Sequence, residues 1–180
     1  HCSQLTIFTG HEDPTKAESS MDYAQIAKAP GTKVMLMGVE RLPHVTAAIL
    51  KEGGDPKLPV ALVRWATTGR HRTITGTLAT IAKVAEKADF KAPAVAVFGT
   101  VVKCRKKLNW FEKRPLRGKR IVVTRTRKQA SGLSRSLRAL GADVLEMPTI
   151  RIQPSQGEEA REFVRLVLDA HTYDWLLFTS

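Results

Sequence analysis

The sequence predicts an α/β protein built in two successive parts, and three observations lead to this expectation. Apolar runs of strand length alternate with segments of helical period along most of the 180 residues. A basic stretch containing Pro115 and Gly118 interrupts the alternation, which starts again near Arg120. Hydrophobic residues make up 43% of the chain, which is enough for a packed core. No apolar run of about 18 residues is present, so we expect no membrane-spanning helix.

Five segments of the first part have the composition of β-strands. Val60–Val63 is a continuous apolar run after Pro59, which is typical of a strand buried on both faces. Arg72–Thr75 instead alternates polar and apolar residues, as a shorter and more exposed strand does. The predicted strands are Leu5–Phe8, Thr32–Leu36, Val60–Val63, Arg72–Thr75 and Ala94–Phe98.

Two helices are predicted between these strands. The segment Leu42–Glu52 carries apolar residues at positions 42, 45, 49 and 50, and Gly53 with Gly54 provides a stop. The second helix has its apolar face at positions 78, 81, 82 and 85, with Thr77 as the possible N-terminal cap.

The second part has the order βαβαβ, which indicates a parallel sheet with right-handed crossovers. The helix over residues 129–140 has apolar positions at 133, 137 and 140, and Gly141 ends it. We place the boundary between residues 112 and 119, with domains over 1–114 and 115–180. The predicted elements are Arg120–Thr124, Gln129–Leu140, Asp143–Glu146, Glu158–Ala170 and Asp174–Phe178, and Thr149–Ile152 is a possible extension of the second strand.

The excess of positive charge is concentrated in one stretch. The net charge is +12, and Val101–Gly141 contains fourteen Lys or Arg residues against one acid, Glu112. Such a field attracts polyanions, and composition leaves open nucleic acid, anionic lipid or a small molecule with many carboxylates. A solvated basic linker is the structural alternative.

Neither a disulfide nor a metal site is expected. The two cysteines, Cys2 and Cys104, lie far apart and outside any CxxC pattern, which favours two reduced thiols. His11 stands beside Glu12 and Asp13, but a second histidine cluster is lacking, so a turn with capping acids is favoured over a metal site.

Two strand ends are candidate ligand-binding edges. Met37–Gly38 follows the strand Thr32–Leu36, and a glycine there lets a backbone approach a ligand closely. Ala66 and Thr67 follow the buried strand Val60–Val63 and offer main-chain groups. In open α/β sheets ligands bind at the carboxyl ends of strands, although core packing explains the same residues equally well.

Residues 1–114 resemble the carboxyl-terminal half of uroporphyrinogen-III C-methyltransferases. The stretches that carry this resemblance are TGHEDPTK, APGTKVMLMGV, PVALVRWATTGRHRTITGTLATIA and KLNWFEKRPL, in that order. Residues 118–180 resemble the start of uroporphyrinogen-III synthases through GKRIVVTRTRKQASGLSRSLRALGADVLEMPTIRI followed by YDWLLFTS. The order of the two matches a fused methyltransferase–synthase, and we expect the chain to be an internal piece of one.

The resemblance implies a bifunctional enzyme of tetrapyrrole biosynthesis. One activity would transfer methyl groups from S-adenosylmethionine to uroporphyrinogen III, giving precorrin-2 for sirohaem and cobalamin. The other would close hydroxymethylbilane to uroporphyrinogen III. The resemblance also implies a cytoplasmic homodimer with tetrapyrrole substrates and without nucleic-acid or membrane partners.

The resemblance assigns cofactor contacts to Met37, Gly38, Ala66 and Thr67, and it places Met37 at the tetrapyrrole as well. Ala66 departs from the family, which has a glycine there; mostly main-chain contacts make alanine acceptable. The catalytic residues are expected upstream of His1, and no metal is implied.

In the synthase-like part, four residues at strand ends are the candidates for binding substrate carboxylates, with capping or solvation as the alternative for each. Because half of each site precedes or follows the chain, we expect these 180 residues alone to be inactive in both reactions. The four candidates are Thr124, Arg125, Thr179 and Ser180.

Two other functions are weighed against this one. A monofunctional methyltransferase with a degenerate second domain would fit the same resemblance. A nucleic-acid-binding module would use the basic stretch, but an aromatic platform, zinc ligands and an RNP-type motif are lacking.

Overall fold

The computed structural model describes residues 3–11, 21–125, 127–150, 153–154 and 156–177, and it forms two sheets. The first sheet has five strands. The α/β class predicted from the sequence is confirmed, and each of the five strands lies within two residues of its predicted bounds. The strands are β1 Leu5–Thr9, β2 Thr32–Leu36, β3 Pro59–Arg64, β4 Arg72–Thr77 and β5 Ala94–Phe98. Their order across the sheet is β1-β2-β5-β3-β4.

Strand β5 lies between β2 and β3 and runs antiparallel to both. Because β2 and β3 both oppose β5, they point in the same direction, and β1 is parallel to β2. Met35 and Leu62 flank Ala96 in register. The carboxyl ends of β1, β2 and β3 therefore meet at one edge of the sheet.

The core fills the space between this sheet and three helices. Met35, Leu62, Ala96 and Phe98 are completely inaccessible to solvent on the helix side of the sheet. Burial of each of the larger of these side chains stabilises the fold by roughly 1.5–3 kcal/mol. The helices are α1 Tyr23–Lys28, α2 Leu42–Lys51 and α3 Ile81–Lys87.

The connecting segment, residues 99–119, contains more regular structure than its irregular sequence predicts. A 3₁₀ turn over Thr100–Cys104 runs directly into the one-turn helix α4, Arg105–Leu108. Loops follow, and the Leu116 amide donates to the Leu140 carbonyl over 3.0 Å. This hydrogen bond attaches the end of the segment to the second part.

The second sheet is a parallel pair of strands. Its helix α5, Arg127–Ala139, contacts strand β7, Asp143–Glu146, and buries Ala130 and Ser134. Gly141 follows the helix with φ of 94°. Helix α5 begins two residues before its predicted start. The elements are β6 Arg120–Val123, α5 Arg127–Ala139, β7 Asp143–Glu146, α6 Gly157–Leu168 and a 3₁₀ turn over Asp169–Thr172.

The prediction of a third strand over Asp174–Phe178 is wrong for residues 174–177, which form no strand; residue 178 lies outside the described residues. Trp175 and Leu177 are 84% and 90% exposed there. An apolar sequence becomes a strand only when a neighbour accepts its backbone hydrogen bonds, and the described residues offer none at this position. Residues 149–150 likewise form no extension of β7.

Thr77 does not cap helix α3 as predicted. It belongs to β4, and the cap position is Thr80, whose hydroxyl accepts the Thr77 amide over 2.9 Å. The apolar period at 78 and 81 begins in the turn before the helix, which explains the early prediction. Among the described residues, no helix is long and apolar enough to cross a membrane.

The contact between Gly10 and Gly38 gives a stability prediction. A Cβ atom on Gly38 would lie 2.9 Å from Gly10 Cα and 2.5 Å from Met35 Sδ, both too close. Gly38→Ala should therefore lower the free energy of unfolding by about 1–3 kcal/mol. Urea unfolding of the purified protein measures this change.

Gly132→Ala in helix α5 is the matched control, because a Cβ there meets no atom within 4 Å. Alanine at that helical position should stabilise the protein by up to about 1 kcal/mol. Equal effects of the two substitutions would show that the Gly10–Gly38 contact places no demand on the sequence.

Candidate functional site

The candidate site lies at the sheet edge where β2 and β3 end and β5 begins. Met37 follows β2, and Ala66 follows β3, so both lie at this edge with the start of β5 between them. Two strand spacings of about 4.8 Å separate the paths of β2 and β3. The two edges named from the sequence are therefore neighbours across a single strand, and both residues are exposed.

Three residues at this edge have left-handed backbone conformations. The φ angles are 54° for Met37, 47° for Trp65 and 60° for Thr67. Such angles are uncommon outside glycine and cost energy, particularly for a β-branched residue such as threonine. Strain of this kind is common at ligand-binding sites, which makes this edge the candidate site.

Glycine is required where β1 and β2 end. The Gly10 amide donates to the Leu36 carbonyl over 2.7 Å, and a Cβ on Gly10 would overlap Gly38 Cα. The Met35 side chain lies directly beneath Gly38 and is completely buried. The two chain segments therefore pack backbone against backbone at this corner, and both glycines are buried.

A cleft of about 290 Å³ opens at this corner. Four of its nine lining residues are glycine, alanine or proline, and Met37, also in the wall, is 71% exposed. Ala66 and Thr67 are not part of this wall. The lining residues are His11, Met37, Gly38, Val39, Glu40, Arg41, Ala92, Pro93 and Ala94.

Two arginines stack on the Trp65 ring at the end of β3. The guanidinium carbons of Arg64 and Arg70 lie 3.8 Å and 4.2 Å from the ring centroid. Two guanidinium groups at these distances are too large to share one face, so the ring lies between them. Buried Arg64 Nε makes no hydrogen bond within the structure described here, and neither arginine forms an ion pair there. This cation pair, Arg64 and Arg70, was not predicted from the sequence.

The loop between β3 and β4 contacts a buried charge cluster. The Thr67 amide donates to Nδ1 of His71 over 3.2 Å, and His71 Nε2 lies 3.5 Å from Glu112 Oε1. Glu112 has an 8% exposed side chain, and it also pairs with Arg105 and, at 3.7 Å, with Arg117. This cluster was missed because its members are separated by up to 46 positions in sequence.

Opposing effects set the pKa values in this cluster. Burial lowers the pKa of His71 below 6.5, Glu112 opposes this change, and Arg117 and Arg105 reinforce it. Burial by itself raises the pKa of Glu112, but hydrogen bonds from Arg105 and Asn109 and the charges of Arg105 and Arg117 outweigh it. The pKa of Glu112 therefore lies below 4.5, and the carboxylate is ionised at neutral pH.

In the second part, Thr124 and Arg125 follow β6 and are exposed at its carboxyl end. The Thr124 carbonyl accepts the Thr149 amide over 3.2 Å. Thr179 and Ser180, the other two candidates, lie outside the described residues.

Part of the basic stretch is neutralised within the structure. Arg120 pairs with Asp143 over 2.8 Å, and Arg138 pairs with Glu146 over 2.9 Å. Arg114 stacks on Trp110 at 4.6 Å and donates to the Ala139 carbonyl. These arginines attach elements to one another, and the two ion pairs neutralise two of the positive charges of the stretch.

Within the described ranges, no group of three or more potential metal ligands comes together. Cys104 is a free, exposed thiol, and Cys2 is outside these ranges.

A family model described as uroporphyrinogen-III synthase HemD matches residues 131–180. The porphyrin biosynthesis protein HemD of Ruminiclostridium josui is 31% identical over 99% of this chain and 35% of its own length. The uroporphyrinogen-III C-methyltransferase of Bacillus subtilis is 30% identical over 99% of this chain and 36% of its own. The resemblance to uroporphyrinogen-III C-methyltransferases and uroporphyrinogen-III synthases is confirmed.

Other relatives match a smaller share of the chain. The S-adenosyl-L-methionine-dependent uroporphyrinogen III methyltransferase of Methanosarcina barkeri is 47% identical over 56% of this chain and 39% of its own length. The crystal structure of a Thermus thermophilus uroporphyrin-III C-methyltransferase with S-adenosyl homocysteine aligns with a TM-score of 0.48. That alignment has 27% identity and covers 57% of this chain and 44% of the other. The chain spans about a third of the length of the first two relatives.

The strain at Met37 can be tested independently of any ligand. Met37→Gly should raise the free energy of unfolding by about 0.5–1 kcal/mol, because relief of the left-handed conformation exceeds the entropic cost of glycine. Met37→Ala keeps the strain and removes an exposed side chain, so it should change stability by less than about 0.5 kcal/mol. Chemical denaturation of both variants makes the comparison, and equal stabilities would argue against backbone strain here.

Proposed function

We propose that the first part of this chain provides one wall of a site that binds S-adenosylmethionine for the methylation of uroporphyrinogen III. The concentration of left-handed residues at one sheet edge, beside the Gly10–Gly38 contact, carries the proposal. The names of the relatives support the same reaction. We propose domain limits of 1–114 for this part and 115–180 for the part that follows.

The residues of the cleft fit a nucleoside with a sulfonium side chain. Ala92, Pro93 and Ala94 offer an apolar surface for a base, and Gly38 leaves room for close main-chain approach. Glu40, also on the wall, can accept hydrogen bonds from hydroxyl groups. The cleft volume of about 290 Å³ is close to the lower end of ligand pockets, as expected for one wall of a larger site.

The cofactor would supply an electrophilic methyl group, and the role of this chain is to bind and orient. Exposed Met37 would lie between cofactor and tetrapyrrole, and Gly38 would contact the cofactor through its main chain. Ala66 and Thr67 would extend the contact from the end of β3. Accurate positioning of two reactants accounts for much of the rate of such a transfer.

The cation pair Arg64–Arg70 supports binding of a substrate with many carboxylates. Both guanidinium groups are fixed by the indole ring and keep their charge unpaired by carboxylates of the described residues. Arg64 is in register with Ala94, which lines the cleft. Guanidinium groups bind carboxylates through paired hydrogen bonds, so these two residues are suited to side-chain carboxylates of a tetrapyrrole.

We propose that the second part contributes one lobe of a uroporphyrinogen-III synthase that closes hydroxymethylbilane. Thr124 and Arg125 at the end of β6, with Thr179 and Ser180, would bind substrate carboxylates. A degenerate lobe without this activity is the alternative. The complete protein is proposed to be a cytoplasmic homodimer, and nucleic acid and membranes are not proposed as partners.

A binding experiment tests the cofactor site. The complete protein should bind S-adenosylmethionine in calorimetry and transfer its methyl group to uroporphyrinogen III. Met37→Ala should weaken binding about tenfold, the effect of losing roughly 1.4 kcal/mol of contact. Leu108→Ala is the control, because Leu108 is also exposed, at 68%, but lies in α4. Absence of binding by the unmodified protein would overturn the proposal.

Substitution of either arginine of the cation pair should raise the KM for uroporphyrinogen III and leave the KM for S-adenosylmethionine nearly unchanged. In Arg64→Met or Arg70→Met the KM for uroporphyrinogen III should rise about tenfold or more, since each loses a charged hydrogen bond. The KM for S-adenosylmethionine should change less than about twofold. Arg161→Met on α6 provides the control for the loss of one positive charge. A uniform rise in both KM values would instead indicate a damaged fold.

A further inference from the structure

The strained loop between β3 and β4 is held by the imidazole ring of His71. The Thr67 amide donates to His71 Nδ1, and the His71 amide donates in return to the Thr68 carbonyl over 2.9 Å. The first hydrogen bond offsets part of the cost of the left-handed conformation at Thr67. The ring thus fixes the direction of a main-chain amide in the proposed cofactor loop.

These contacts define the protonation state of the ring. Because Nδ1 accepts a hydrogen bond, a neutral His71 carries its proton on Nε2, which lies 2.8 Å from Thr73 Oγ1. A second proton on Nδ1 would face the Thr67 amide donor. Holding the loop therefore requires the neutral ring.

The connecting segment fixes the ring from the other side. Phe111 stacks on His71 with 5.4 Å between centroids and 16° between planes. Glu112 Oε1 lies 3.5 Å from His71 Nε2 and has no hydrogen-bond partner in the described structure. Arg105 and Arg117, both in the same segment, hold the carboxylate in place.

The second part also contacts this loop. A Cβ on Gly69 would overlap the backbone of Ala142 and Asp143, which precede and begin β7. The Asp143 amide is itself held by the Lys119 carbonyl over 2.9 Å. One loop of the methyltransferase-like part therefore touches both the connecting segment and the synthase-like part.

We propose that His71 is a positioning residue for the Thr67 amide and that Glu112 sets the position of its ring. The connecting segment then acts as a clamp on the loop, and the affinity of the cofactor site depends on that clamp. The effect on cofactor affinity rests on the proposed function, whereas the contact of the connecting segment with the loop does not.

The clamp should open in acid. Glu112 favours a protonated His71, whereas burial and the charges of Arg117 and Arg105 favour the neutral ring and hold its pKa below 6.5. A lowered pKa means that the folded state binds this proton less readily than the unfolded state. Its contribution to stability is complete above pH 6.5 and is lost as the pH falls through the lowered value.

Hydrogen exchange of the complete protein tests the clamp without any ligand. His71→Phe keeps a ring beside Phe111 but removes the acceptor, so protection of the Thr67 amide should fall about tenfold. His71→Gln retains an acceptor oxygen and should recover much of the protection. Glu112→Gln should give an intermediate loss. His171→Phe, at an exposed histidine in the 3₁₀ turn 169–172, serves as the control and should have no effect.

Calorimetry with S-adenosylmethionine then tests the consequence for the cofactor. The Kd should rise about tenfold in His71→Phe and follow the order of the protection factors. Unchanged Thr67 protection in His71→Phe would overturn the clamp. Lost protection with an unchanged Kd would overturn its effect on the cofactor. If the unmodified protein does not bind S-adenosylmethionine, the proposed function is wrong. The hydrogen-exchange result at Thr67 would then be the test of the clamp.

Discussion

The antiparallel insertion of β5 between β2 and β3 is the constraint on which the candidate site depends. It forces β2 and β3 to point the same way, so that Met37 and Ala66 reach one edge. It also brings the turn before β5, with Ala92 and Pro93, to the same edge as part of the cleft. Sheet register fixes these positions because a slip by one residue would turn Met35 out of the core.

The buried core and the strained edge are parts of one arrangement. Met35 fills the space beneath Gly38. Its register partner on β5 is Ala96, whose own partner on β3 is Leu62, and all three side chains are completely buried. Left-handed residues at the edge persist only where surrounding structure determines them strongly. Here the hydrogen-bonded ladders on both sides of β5 fix the ends of β2 and β3, and so they hold the left-handed residues that follow these strands.

The sequence predicts local structure well, and its failures have a common physical origin. Strands such as Val60–Val63 are visible because burial on both faces leaves an apolar run. Their order in the sheet depends on pairing between distant segments, which no local pattern contains. The failed strand after Asp174 shows the same limit, because strand formation needs a partner as well as a suitable sequence.

Candidate site residues could likewise be predicted where the signal is local in sequence and not where it depends on contacts between distant segments. Met37 and Ala66 could be named from strand ends and from the resemblance, both of which are local in sequence. His71 and Glu112 could not, because a lone histidine in a loop and a lone acid in a basic stretch carry no signal until the fold brings them together. The Arg64–Arg70 pair was likewise hidden, although the tryptophan between them is five positions from the second arginine.

The charge of the connecting segment has a structural meaning that composition conceals. Glu112 is the single acid between Val101 and Gly141, and it is buried against Arg105 and Arg117. A buried carboxylate stays ionised only when cations compensate its lost hydration, and neighbouring arginines repel one another without an anion between them. The carboxylate and the two guanidinium groups therefore stabilise one another in this buried position, and together they hold the connecting segment against His71. The basic stretch is in this respect an element of the fold before it is a surface for a polyanion.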